Sequence, residues 1–163
     1  MASALDLAPV RQLRTRPRQV VVLLAVFGVW TLLVWAGRIR NVFTADDLSG
    51  AEQAWRFLLA ALFVAAAGNL LVRVWGDRAA IAVRRYADGD ERLRVPPALL
   101  RAVTLLAALT TVGWLVRTPP IWFGDYDGGF KVVHTVLAVV SIALAVASLW
   151  AVAPRSPAGP AHR

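Results

Sequence analysis

Cysteine is missing from the 163 residues, methionine occurs only at position 1, and histidine only at 134 and 162. A chain without cysteine forms no disulfide, no thiolate metal site and no Cys nucleophile. Two histidines in different layers do not make an axial haem pair, so the sequence calls for no cofactor and no metal. Glycine-rich phosphate loops, an HExxH pair and a workable Ser/His/Asp set are absent as well. No catalytic residue stands out, and whether the chain is an enzyme is left open, with a non-enzymatic role preferred.

Charge is scarce too. Charged residues make up 17% of the chain and hydrophobic ones 58%, with a mean hydropathy of +0.59. Soluble domains carry about 45–50% apolar residues with glycine included, so this composition belongs to a membrane protein. The formal net charge of +8 raises nucleic acid as a partner. No basic groove interleaved with stacking aromatics accompanies it, and no nucleic-acid partner is expected. The bilayer, and in particular anionic inner-leaflet lipids, accounts for the basic residues better.

Four charge-poor apolar windows can cross a hydrocarbon layer of ~30 Å. They cover 19–37, 57–72, 98–116 and 132–153. The expected fold is all-α, an integral-membrane four-helix bundle. Residues 1–18 form a basic tail, 19–75 a first transmembrane hairpin, 76–97 a connector, 98–153 a second hairpin, and 154–163 a Pro/Gly/Ser-rich tail expected to be disordered. The connector is expected to prolong the second span as helix to about Tyr86 and then to turn at Asp88-Gly89-Asp90.

Thirteen of the eighteen Lys and Arg residues fall in the two tails, the connector and the span ends that adjoin it, at Arg73 and Arg101. The remaining five, Arg38, Arg40, Arg56, Arg117 and Lys131, are offset by Asp46, Asp47, Glu52, Asp125 and Asp127. Basic residues collect on the cytoplasmic side, which predicts a multi-pass protein of the cell membrane with both termini in the cytoplasm. A cleaved signal is not expected, because the first apolar run outlasts the 7–15 residues of a signal core.

Trp35, Arg38 and Asp46 recur as Trp114, Arg117 and Asp125, each 79 residues on. Arg56 to Trp75 and Lys131 to Trp150 are segments of equal length at a spacing of 75 residues, so a second outer loop four residues shorter reconciles the two spacings. This pattern predicts a duplicated two-helix hairpin. It also predicts that Arg38 pairs with Asp46, and Arg117 with Asp125. Each exposed pair would contribute about 0–1 kcal/mol.

FGVW at 27–30 with Trp35, and FKVVHTVLAVVS at 130–141, resemble parts of small two-helix membrane proteins of high-GC Gram-positive, actinobacterial-type bacteria, a family known only as uncharacterised. The resemblance implies a bacterial inner-membrane protein and carries no activity or functional residue with it.

A few residues break the apolar pattern. In the second span Ala61, Ala65 and Asn69 share a helical face beside Gly68, a spacing suited to close helix contact. Ala107 with Thr111 and Ser141 with Ala145 repeat it in the third and fourth spans. Asn69 is also a candidate for a ligand or ion path. Asp125, Asp127 and His134 are candidates for an outer cation, proton or ligand site. The DxDG run at 125–128 does not continue as an EF-hand, because its twelfth position is Val136.

Three functions stay open. The first is a non-enzymatic binding, assembly or structural component, as a homo-oligomer or with a membrane partner protein. The second is a small transporter or channel subunit acting as a homo-oligomer, with Asn69, Thr104, Thr111 and Ser141 as its polar lining. The third is an outer-face enzyme using Asp125, Asp127 and His134.

Overall fold

Helix formation begins at Pro17 and runs unbroken through the first apolar window to Phe43 (α1, Pro17–Phe43). It is followed by α2 (Gly50–Asp77), two short strands β1 (Ala82–Arg85) and β2 (Glu91–Arg94), α3 (Pro97–Phe123) and α4 (Gly128–Val152). The structure is a computed structural model that describes residues 17–43, 49–85 and 91–153. The two tails and the expected turn at 88–90 lie outside the described residues. All four helices are long and apolar enough to cross a membrane, and the chain is built as a multi-pass membrane protein.

The helices outrun their apolar windows at one end of the bundle. At 1.5 Å per residue, helices of 25–28 residues are ~40 Å long and extend past a hydrocarbon layer of ~30 Å. Their last turns can then carry charge in the interface. α2 starts at Gly50 because Ser49 caps it, accepting from the Glu52 N–H at 3.3 Å. α3 continues through Pro119 and Pro120, where the sequence reading placed a loop. The prolines deprive Leu115 and Val116 of backbone donors, and both residues are exposed near the helix end, where that loss is tolerated. Gly124 stops the helix by donating its N–H to the Pro120 carbonyl at 3.0 Å. A Cβ at Gly124 would lie 2.7 Å from that oxygen, so the close approach requires glycine. Asp127 caps α4 through a 2.9 Å bond from the Phe130 N–H.

The connector departs from expectation. α2 ends at Asp77, and β1 pairs antiparallel with β2, Ala82 opposite Arg94 and Arg85 opposite Glu91. Gly76-Asp77 is a poor helix continuation, and the AVRR and ERLR runs pair with each other instead. The four-helix transmembrane bundle is as predicted; the short β-hairpin is an addition to it.

In the bundle α1 packs on α2 and α4, and α3 on α4 and α2, leaving α1–α3 and α2–α4 on the diagonals. Val20, Leu24, Phe27, Leu70, Leu99, Val103 and Leu106 fill the centre. Gly28 lets α2 come close, since a Cβ there would sit 2.8 Å from Leu71. The expected Ala61, Ala65 and Asn69 stripe is exposed; α2 instead buries Ala60, Phe63, Ala67, Leu70 and Val74. One residue rotates a helix by about 100°, and the larger apolar face wins the core. Ser141, Ala145 and Ala107 do pack inside, with Thr111 half-buried.

Burial also corrects the spacing between the two halves. In α1 and α3 the buried positions pair as Val20 and Leu99, Leu24 and Val103, Phe27 and Leu106, Gly28 and Ala107, and Thr31 and Thr110, all 79 apart. In α2 and α4 they pair as Ala60 and Ala138, Phe63 and Ser141, Ala67 and Ala145, Leu70 and Ser148, and Val74 and Val152. That spacing is 78, not 75, and it also aligns the two caps, Ser49 and Asp127. Interfacial Trp and Arg had suggested 75 because they mark membrane boundaries, whose position on a helix is less strictly set than its core face.

Candidate functional site at the hairpin end of the bundle

Polar side chains with a specific setting gather where α1 passes to α2 and α3 to α4. Trp35 on α1 stacks on Phe63 of α2, with ring centroids 4.1 Å apart and planes at 19°. Arg38 follows Trp35 by one turn and therefore lies on the same helical face. Its guanidinium carbon is 5.2 Å from the Trp35 ring and 5.1 Å from the ring of buried Trp114 on α3. Arg38 thus bridges the diagonal of the bundle by two cation–π contacts, each worth about 0.5–2 kcal/mol depending on desolvation.

Arg117 stands one turn after Trp114, as Arg38 does after Trp35. It is exposed at the rim, within electrostatic range of Arg38, of Arg56 on α2 and of Tyr126. Arg56 is held by Glu52 one turn earlier in an exposed ion pair. On α4 the half-buried His134 has Nδ1 2.9 Å from the Phe130 carbonyl. Its ring lies 3.9 Å from that of Phe130, which stacks in turn on Tyr126 at 4.7 Å. Both Arg38 and Arg117 act electrostatically on this imidazole.

The expected loop pairs fare differently. Asp46 lies outside the described residues. Asp125 is exposed, and among the described residues neither it nor any other carboxylate pairs with Arg117 or Arg38. Arg38 instead reaches the aromatic rings of Trp35 and Trp114, and Arg117 stays at the exposed rim. Asp127 is engaged as a helix cap, and no group of three His, Asp or Glu side chains gathers among the described residues. Asn69 sits on the outer face of α2, away from all of these. Thr104 is exposed and bonds its own helix at Leu100, whereas Ser141 is buried and accepts from Trp30 Nε1 at 2.9 Å. The four candidate lining residues therefore do not share a face.

The chain matches no family model, no curated protein and no solved structure. Its chemistry rests on its own geometry.

That geometry places one basic residue from each helix at one end: Arg38, Arg56, Arg117 and His134. Sequence reasoning missed Arg56 and the contact of Arg38 with the two tryptophan rings. The signal was present in the repeated WxxR, since Trp and Arg three residues apart on a helix are neighbours.

Proposed function

We propose that this chain is a binding or assembly component of a bacterial inner membrane, acting without catalysis, with both termini in the cytoplasm. The observation that carries this reading is the filled centre of the bundle. Val20, Leu24, Phe27, Leu70, Leu99, Val103 and Leu106 close it. The buried polar side chains among the described residues are only the hydroxyls of Thr31, Thr110, Ser141 and Ser148. A single copy offers no water-lined path, so its outer surfaces and ends are what it presents to other molecules. The concentration of Arg in the tails and connector supports the orientation. The shared 79- and 78-residue burial spacing, together with equivalent helix neighbours, supports an origin by hairpin duplication.

The orientation is testable in this naturally Cys-free chain. Single cysteines at positions 46 and 88 should react differently with a membrane-impermeant maleimide on intact cells: 46 labelled, 88 labelled only after lysis. The reverse pattern would overturn the topology. Native mass spectrometry of the detergent-extracted chain should find it with a further copy or a partner. A strictly monomeric species, reproduced after cross-linking in the membrane, would count against the assembly role.

A further inference from the structure

We propose that the hairpin end of the bundle binds a phosphate-type oxyanion, gripped by Arg38 and Arg117 with Arg56 and His134 at its edge. The inference stands on the geometry of that end alone and holds for either orientation in the membrane.

Like charges brought together near a membrane repel, and the low dielectric removes the water that would screen them. Arg38 nevertheless lies 5.1 Å from the ring of Trp114, one turn before Arg117 on α3, so the two basic residues are neighbours; Arg117 acts on Arg38, and both act on His134. Solvated arginines at a membrane surface would spread toward headgroups and water. Here Arg38 is half-buried and fixed between the rings of Trp35 and Trp114. Those rings are themselves fixed: Trp35 by its stack on Phe63, and Trp114 by burial in the core. The two indole rings hold the guanidinium without supplying an oxygen acceptor to its N–H donors, and a guanidinium fork suits bidentate contact with an oxyanion. Glu52 holds Arg56 from the outside without reaching Arg38 or Arg117.

The placement follows the duplicated register. Arg38 and Arg117 are equivalent at 79 residues, and Arg56 and His134 at 78, the spacings set by the buried core. Four basic positions related in this way lie at one end of the bundle, one on each helix, and a tetrahedral oxyanion offers acceptors to donors arriving from several helices. Phosphate is the common chemistry of two sources, a phospholipid headgroup at the interface and a soluble phosphate compound.

The test uses the full chain in detergent and in nanodiscs. Equilibrium dialysis against labelled inorganic phosphate, with ionic strength held by chloride, should give saturable binding. Alternatively, native mass spectrometry from phosphatidylglycerol nanodiscs should show retained lipid. Phosphate saturation without lipid retention assigns a soluble ligand, and lipid retention assigns a headgroup; either supports the proposal. Arg38→Gln and Arg117→Gln should each weaken the observed binding by about tenfold or more, the loss of a charge-assisted bond. Arg38→Lys, which keeps the charge but not the fork, should fall between. Arg117 is exposed, so its variant keeps the test decisive if Arg38→Gln fails to fold. Equal binding by wild type and Arg117→Gln in both assays, or no saturable phosphate and no retained lipid in the wild type, would overturn the proposal. Neither result depends on which face of the membrane the site occupies, or on whether the chain assembles with itself.

Discussion

Phe63→Ala should be the most damaging conservative truncation in the bundle, and its cost can be estimated. The ring is 6% exposed, stacks on Trp35 of α1 at 4.1 Å, and lies against α3 where Gly113 has no side chain. Lipid tails are as apolar as a protein core, so transfer from water contributes little to the loss. What remains is packing. A cavity on the order of 100 Å³ at ~24 cal/mol per Å³ gives about 2.4 kcal/mol, and the aromatic stack adds ~0.5–1.5 kcal/mol. A loss of about 3–4 kcal/mol is expected, measured by SDS titration of the chain in mixed micelles followed by far-UV circular dichroism. Gly113 supplies an internal check. A Cβ there would meet Phe63 Cζ at 3.1 Å. Gly113→Ala should therefore gain less than the usual ~1 kcal/mol of helix propensity in the wild type. In the Phe63→Ala background, where the methyl enters the cavity, it should gain more than that. A loss below ~1 kcal/mol for Phe63→Ala, or strictly additive effects of the two changes, would refute the interlock.

Two further consequences follow from single contacts. Trp30→Phe and Ser141→Ala should couple by about 0.6–1.7 kcal/mol in a double-mutant cycle, because the indole N–H donates to Ser141 Oγ at 2.9 Å; zero coupling in the same SDS titration would remove that bond from the account. Gly124→Ala should cost ~1–3 kcal/mol of overpacking by driving a methyl onto the Pro120 carbonyl. It should also speed hydrogen exchange over the end of α3 while leaving α1 unchanged, and unchanged exchange throughout would refute the cap.

Much of this architecture was legible from residue spacing. The four spans follow from charge-free length, because hydrocarbon leaves a backbone no partner outside its own helix. Less legible were the ends. Glu52, Arg56 and Arg117 lie just outside the apolar windows, yet the helices run on through them, since an interface tolerates charge that the interior does not. The α2 face was misread by one residue: Ala61, Ala65 and Asn69 have the spacing of a packing stripe, but Phe63, Leu70 and Val74 bury more side chain on the neighbouring face. The arginines of the WxxR repeats were read against acids in their own loops because pairing by sequence proximity is easy to see. Contact between Arg38 and Trp114 crosses the diagonal of the bundle, and no local pattern specifies a diagonal. The connector strands were equally hidden, since four-residue runs such as AVRR carry too short a period to separate strand from helix.

Two hairpins with the same spacing of buried positions pose a problem of pairing that the side chains answer. Two identical hairpins could pair with copies of themselves in other chains as readily as with each other, and a bilayer full of such chains would assemble without a defined partner. The contacts between the halves are unequal. Phe63 of the first hairpin fits the gap at Gly113 of the second, and Trp30 of the first donates to Ser141 of the second. By the buried spacing, the counterparts of these residues are Ser141 for Phe63, Val34 for Gly113, and Leu109 for Trp30. Pairing two first hairpins in the same geometry would drive Phe63 onto Val34 and Trp30 onto Phe63, overfilling the interface. Pairing two second hairpins would set Ser141 against Gly113 and Leu109 against Ser141, leaving it underfilled and its hydroxyl without the indole donor. Only the mixed pair has matched volumes and a donor for each acceptor at these two points. The differences at three matched positions, Trp30 against Leu109, Val34 against Gly113 and Phe63 against Ser141, therefore make a first hairpin pair better with a second hairpin than with its own kind.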